Sequence, residues 1–413
     1  MTTIADALSA WGSHDRDNPY PLFAELAERG AVHKATLVDG HDVYLVVRHA
    51  EARAALADAR LSKDIHAALA SGDDVVAEGL PGPAFARHML VVDPPDHTRL
   101  RRLVAAAFSV RRIESLQPRI EAIVDDLLDH IAQRGPDTVV DLVASFAFPL
   151  PFTVICELLG VPHEDRDELA EGLAVLLAPA PTPEQYERAK AASDAVVALL
   201  ERLVRDKQHA PDDALVSALI VARDGDERLT HQELMSTIFQ LIVAGHDTTA
   251  SLLGNSVVSL LLHPDQLDEI RKDPVKLPLA MEELMRFDAP VPHATFRYAI
   301  EAIELGGVTI PAGAQVLVNL AAANRDERVC PAPDVLDIDR DEVRHLGFGH
   351  GIHFCLGAPL ARMEGHIALG ALIERFPEMR LAVPAGELHW GHGDGVVLRG
   401  LSALPVVPGP AVR

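Results

Sequence analysis

A chain of 413 residues, 48% of them hydrophobic and 24% charged, has the balance of a folded globular protein able to bury a sizeable core. Its net charge of −24 works against general nucleic-acid binding and against anionic membranes, because both rest on Lys and Arg meeting phosphates. No apolar run reaches the ~20 residues that cross a bilayer, no basic-then-apolar leader is visible, and Cys156, Cys330 and Cys355 make no disulfide framework; a reduced, cytoplasmic protein is expected.

No repeat or low-complexity segment appears, and the Pro/Gly-rich stretch from Leu80 to Pro83 is too short for a linker, so one domain over residues 1–413 is expected, as a monomer. DVYLVV near residues 42–47 alternates as a strand does. Residues 97–290 are mostly helical in period, as in RIEAIVDDLLDHIAQR and ASDAVVALLERLVRD. Arg99, Arg101, Arg102, Arg111 and Arg112 concentrate positive charge around one helix of an acidic protein, either as a docking face for an acidic partner or as a solvated helix end. Cys156 in VICELLG reads as a core thiol.

Thr230 followed by Glu233 forms a capping-box start, and the pattern then runs without Pro to His263, predicting a helix of roughly 50 Å at ~1.5 Å per residue. A helix that long has a buried middle, yet the middle reads Ala244-Gly245-His246-Asp247-Thr248-Thr249. Gly costs about 1 kcal/mol in a helix interior and a buried carboxylate needs partners, so rules broken at one place point to a site, with a solvated or satisfied polar patch as the plain alternative. Further on, Glu283 and Arg286 stand at helix i,i+3 spacing, and short β signals lie at 302–320 and near the C-terminus, around a loop thiol at Cys330. The sheets are predicted to be small and peripheral to a mainly α fold.

The densest constellation is Gly347-Phe348-Gly349-His350-Gly351-Ile352-His353-Phe354-Cys355-Leu356-Gly357, followed by the helical APLARMEGHIALGALIERF. Its glycines let backbone approach something large or flat, and a cysteine just before a helix start is favoured as thiolate, a soft ligand for iron. A buried structural thiol, and a zinc site of His350, His353 and Cys355 with His389 and His392 far off, are the alternatives.

The pattern Phe-Gly-x-Gly-x-His-x-Cys-x-Gly resembles the haem-binding loop of the cytochrome P450 family at every fixed position. Ala244-Gly245-x-Asp247-Thr248 is similar to that family's oxygen-activation segment, and Glu283-x-x-Arg286 to its Glu-x-x-Arg signature. Weaker similarity covers most of the chain, including DPPDHTRLR from Asp93 and ANRD with LDIDR up to Arg340. One departure is Leu336, where an aromatic is usual, which bears on how Arg340 packs against Glu283 and Arg286.

The resemblance implies a mainly α, single P450-type domain with haem b between a long central helix near 244–249 and the Cys loop at 347–357, and O2 as co-substrate. Cys355 would be the axial iron ligand; Phe348, Gly349, Gly357 and Ala244 would line the haem; His97, Arg101, Arg297 and His353 would meet its propionates. Asp247 and Thr248 would deliver protons, Glu283, Arg286 and Arg340 would be structural, and His246 would be a packing residue or one that supports its neighbours. Met89 in the loop 88–91, residues near 170–185, Val243, Ala244, Val291, Ala294 in the segment to Thr295, Val396 and Val397 would line a roomy apolar pocket.

The resemblance to soluble bacterial members implies hydroxylation or epoxidation of a small hydrophobic molecule such as a macrolide or other polyketide, a terpenoid or a steroid-like compound. The chain has no GxGxxG at a strand–helix junction and no length for a flavin domain, so electrons would come from a ferredoxin with its ferredoxin reductase, docked on Arg99, Arg102, Arg111 and Arg112. A direct peroxide user is disfavoured by the intact Asp247–Thr248 pair, a haem gas sensor by the same relay, and a zinc hydrolase would be colourless.

Overall fold

The computed structural model describes residues 4–12, 15–64, 85, 87–178, 182–223, 227–391 and 397–412. In chain order its strands are β1 (Val32–Thr36), β2 (Asp42–Val46), β3 (Leu61–Ser62), β4 (Val140–Asp141), β5 (Arg297–Ala299), β6 (Ile303–Leu305), β7 (Val308–Ile310), β8 (Gln315–Val318), β9 (Arg380–Leu381) and β10 (Pro405–Val407). The helices that position the site are α1 (Asp96–Ala107), α2 (Gln117–Gln133), α3 (Pro149–Leu159), α4 (Pro183–His209), α5 (His231–Leu262), α6 (Leu277–Phe287) and α7 (Ala358–Arg375). The fold is predominantly helical with small sheets, as the sequence pattern predicts. Contacts divide it into two compact units, one of Met1–Ser62, Gln117–Leu150 and Thr248–Arg413, the other of Lys63–Leu116 and Pro151–Asp247.

In the first unit a five-stranded sheet has the order β1-β2-β8-β5-β3, with β2 and β8 parallel and the other pairs antiparallel. Side chains alternate across a strand, and the two faces separate accordingly. Val43, Leu45 and Leu317 pack with Trp11, Phe23 and Leu26, whereas Val46, Val316 and Val318 pack with Leu56, Ile303 and Ile310. The β6–β7 hairpin turns through Gly306 and Gly307 at φ +56° and +80°, a left-handed pair that L residues with a side chain adopt only at a cost. Helix α2 buries Ile120, Ile123, Val124, Leu128 and Ile131, a helical stripe, and packs against α7; α6 packs on α7 as well.

In the second unit α4 starts with a complete capping box, Thr182 Oγ1 accepting from Gln185 N while the Gln185 side chain accepts from Thr182 N. Helix α4 packs against the helix Arg166–Leu176, and α1 against the helix Leu215–Val221.

The long helix α5 has 32 residues and begins as the sequence predicts. Glu233 N donates to Thr230 Oγ1 at 3.2 Å and Thr230 N to Glu233 Oε2 at 2.9 Å, satisfying two otherwise orphaned donors. Gly245 explains itself by packing: a Cβ there would stand 3.2 Å from the Ile155 side chain of α3, so the small residue permits the close approach.

Candidate active site

The cysteine loop is part of the first unit. Cys355 N donates to Phe348 O at 2.9 Å and Gly349 N to Leu346 O at 2.7 Å, closing the chain into two successive turns. Gly349 and Gly351 sit at φ +72° and +75°. A Cβ on Gly351 would press within 2.7 Å of Leu56 O, so that glycine seats the loop against its own unit. Around Gly349 a Cβ would meet nothing nearer than His353 O at 3.9 Å, and at Gly357 it would meet Cys355 Sγ at 3.8 Å. The glycines thus leave a shallow cradle on the thiol side of the loop.

Cys355 is exposed and lies three residues before the first residue of α7, where the helix dipole favours a thiolate. Behind it the Arg362 guanidinium lies 4.4 Å from the Phe348 ring and feels the Cys355 sulfur electrostatically. Arg362 is held by Glu282, Nε to Oε1 at 2.6 Å and Nη2 to Oε2 at 2.8 Å, and His345 Nε2 sits 3.0 Å from the same carboxylate. Burial raises the Glu282 carboxyl, but its hydrogen bonds from Arg362 and His345 outweigh that and hold it down at about 2. This cluster was not legible in the sequence; the only signal is that Glu282 precedes Glu283 and Arg362 lies on the helix after Cys355.

Glu283 and Arg286 form the fully buried pair that the i,i+3 spacing predicts. Arg286 also donates to Asn324 O at 3.2 Å, Pro333 O at 2.9 Å and Val335 O at 3.3 Å, while Glu283 accepts from Asp337 N at 3.1 Å. Arg340 reaches Glu283 Oε2 with Nε at 3.3 Å, with the buried Leu336 in place of an aromatic. Asn324 carries the connection onward, its Oδ1 accepting from Leu346 N at 2.6 Å at the entrance to the cysteine loop. Arg297 is buried in β5, its Nη1 donating to Thr295 O at 3.3 Å; His353 closes the short turn Gly351–His353. Val291 and Ala294 are half-buried against the Val46–Ile303–Val316 cluster.

The second unit holds the other predicted residues. His97 is buried in the first turn of α1, and half-buried Arg101 lies one turn along the same face. Arg99 does not offer its charge to solvent: it forms a two-pronged ion pair with the buried Glu233. Arg112 is turned to Asp213 O, whereas Arg102 and Arg111 are exposed. Met89 is buried, Val243 half-buried and Ala244 exposed; Val396 lies outside the described residues, as do Leu80–Pro83 and His392. Asp247 is buried beside His246, Nε2 to Oδ1 at 3.1 Å, and Phe152 sets its ring edge-on to the histidine at 5.6 Å. Thr248, the next residue of the same helix, begins the first unit's share of α5.

A zinc site finds no support, since His350 Nε2 accepts from Arg53 Nε at 3.2 Å and no group of three metal-binding side chains occurs among the described residues. The donor set instead fits a haem: one exposed thiol just ahead of a helix start, with a glycine cradle beside its sulfur.

The cytochrome P450 family matches residues 14–381. Cytochrome P450 107B1 of Saccharopolyspora erythraea is 46% identical over 406 residues, covering 96% of both chains. The vitamin D(3) 25-hydroxylase of Pseudonocardia autotrophica is 44% identical, covering 98% of this chain and 99% of its own. Among solved structures, the Bacillus subtilis bacillaene polyketide synthase cytochrome P450 PksS superposes with a TM-score of 0.88 at 36% identity, covering 95% and 97%. The chain belongs to the cytochrome P450 family. It is a monooxygenase, an oxidoreductase whose family uses haem b and O2.

Proposed function

We propose that this enzyme inserts one oxygen atom from O2 into a C–H bond or alkene of a hydrophobic secondary metabolite, a polyketide or macrolide, terpenoid or steroid-like compound. The single observation that carries the reading is Cys355, exposed beside a glycine cradle just ahead of α7. Support for the substrate class is the apolar character of Met89, Val243, Ala244, Val291, Ala294 and Val396, all of them assigned to the pocket by resemblance.

When bound, haem supplies the activation of dioxygen and the transfer of its oxygen atom. Cys355 would hold the iron through its thiolate, with Arg362, itself held by Glu282, supplying positive charge near the sulfur. Phe348, Gly349 and Gly357 would line the flat macrocycle, and the resemblance adds Ala244 to them. By the same resemblance Arg297, His353, His97 and Arg101 would offer cations and hydrogen bonds to its propionates, which would otherwise be buried uncompensated. Asp247 holds and moves protons, and the Thr248 hydroxyl orients their acceptor. Glu283, Arg286 and Arg340 keep the chain up to Asn324 and Leu346 in place.

Electrons come from a ferredoxin with its ferredoxin reductase, approaching exposed Arg102 and Arg111, with Arg112 near them and Arg99 acting instead as the clasp of Glu233. Among the described residues no helix is long and apolar enough to cross a membrane. The working form in this reading is a cytoplasmic monomer. The test is the absorption spectrum of the reduced protein under carbon monoxide. A red-shifted Soret band that disappears in Cys355→Ser establishes the thiolate; a haem without that band, or a colourless protein, overturns the reading.

A further inference from the structure

Adjacent residues of a helix point about 100° apart and do not ordinarily face each other. His246 and Asp247 do, with Nε2 and Oδ1 3.1 Å apart. Two contacts turn the ring back toward its neighbour: Nδ1 lies 2.7 Å from Ile242 O, and Phe152 meets the ring face-to-edge at an interplanar angle of 76°. His130, His209 and His263 make the same Nδ1 contact with the carbonyl four residues back, at 2.6 to 2.7 Å, so the ring pose is an ordinary helical one. What sets His246 apart is the carboxylate that follows it; Ile131, Ala210 and Pro264 follow the others.

The proton count follows from donors and acceptors. Ile242 O only accepts, so Nδ1 carries a hydrogen. A neutral imidazole has no second N–H, and an ionised carboxylate has none, yet Nε2 and Oδ1 stand at hydrogen-bonding distance with His246 2% and Asp247 9% exposed. Two facing lone pairs would repel there. One further proton must lie between them, giving either imidazolium with carboxylate or imidazole with carboxylic acid, and in both cases the buried pair is neutral.

We infer that His246 and Asp247 act as one acid sharing a single proton, with His246 as the positioning residue of the Asp247 carboxylate. This rests on the reading of Asp247 as the proton carrier. The shared proton passes to an acceptor at the Thr248 hydroxyl; the two lone pairs left facing each other push the carboxylate away from the ring, and a proton from bulk water restores the neutral pair. His246 therefore loads the carboxylate and returns it to one pose between deliveries.

The experiment uses the holoprotein, labelled with nitrogen-15 and held in its diamagnetic ferrous carbon monoxide form. In the wild type both His246 ring nitrogens should show shared-proton or protonated character; in Asp247→Asn, Nε2 should move to the shift of a lone-pair nitrogen accepting from the amide. Unchanged His246 resonances in Asp247→Asn overturn the inference. A second readout needs no organic substrate: NADPH, O2 and peroxide stoichiometry with a surrogate ferredoxin and reductase. His246→Phe should raise the fraction of O2 recovered as peroxide about twofold or more, with His246→Gln, which still donates to the carboxylate, nearer to wild type. A raised fraction in Asp247→Asn but not in His246→Phe overturns the role of His246 and leaves Asp247 standing; no change in Asp247→Asn overturns the proton-carrier reading and the inference with it. The carbon monoxide spectrum of each variant certifies its fold.

Discussion

Arg286 and Glu283 face each other with both side chains wholly excluded from solvent, joined at 2.7 Å through Nε and at 2.8 Å through Nη2. Removing one partner of such a pair leaves an uncompensated charge, so Arg286→Ala should cost about 3–5 kcal/mol. Because Arg286 also holds Asn324 O and Asn324 holds Leu346 N, the loss should appear as poor haem retention as well as a lower unfolding midpoint. A variant that keeps its haem and unfolds like the wild type would contradict the chain of contacts.

Arg99 and Arg102 are three residues apart and should behave oppositely. Arg99→Ala strands the Glu233 carboxylate at the start of α5 and should destabilise the protein by about 1–3 kcal/mol. Arg102→Glu and Arg111→Glu, on exposed side chains, should leave the unfolding midpoint alone and slow reduction by ferredoxin, most at low ionic strength. Stopped-flow reduction across a salt series decides it; a salt-independent wild-type rate would move the docking face elsewhere.

Thr248→Ala should keep the reduced carbon monoxide spectrum and divert reducing equivalents to peroxide. Peroxide formed per NADPH consumed is the measure, and unchanged coupling would take the hydroxyl out of proton delivery.

Glu364 of α7 is buried, its Oε2 without a hydrogen-bond partner among the described residues, and burial pushes its carboxyl up to about 8. The folded value lies above the ordinary 4.5, so its contribution to stability is whole below about pH 4.5, falls as the unfolded chain gives up the proton, and is lost by about pH 8. Glu364→Gln, which cannot ionise, should therefore gain on the wild type in unfolding midpoint between pH 5 and 8, at up to ~1.4 kcal/mol per pH unit. A constant difference over that range would mean that the carboxyl is charged and paired when folded.

What the sequence disclosed was what is local. The Thr230–Glu233 box, the Glu283–Arg286 pair and the glycine-rich cysteine loop depend on spacings of a few residues, and the structure realises each. Contacts between distant segments were hidden: Arg99 meeting Glu233, Glu282 meeting Arg362, and the parallel pairing of β2 with β8 carry no periodic signature. The His246–Asp247 contact was hidden for the opposite reason, since neighbouring helix positions are expected to point apart. Leu336 shows a third case, where a departure from the usual aromatic leaves Arg340 still joined to Glu283.

The register of β2 against β8, Val43 beside Gln315 and Val46 beside Val318, ties the synthesis of the chain to its folding. While the polypeptide emerges from the ribosome, β1 and β2 are synthesised long before β8, so the β2 edge waits without its parallel partner. The segments of the second unit emerge in the interval and find their neighbours early. A chain stalled before Val318 would thus carry the whole of the second unit and one strand edge without its partner, and truncated products of this enzyme should be prone to aggregation.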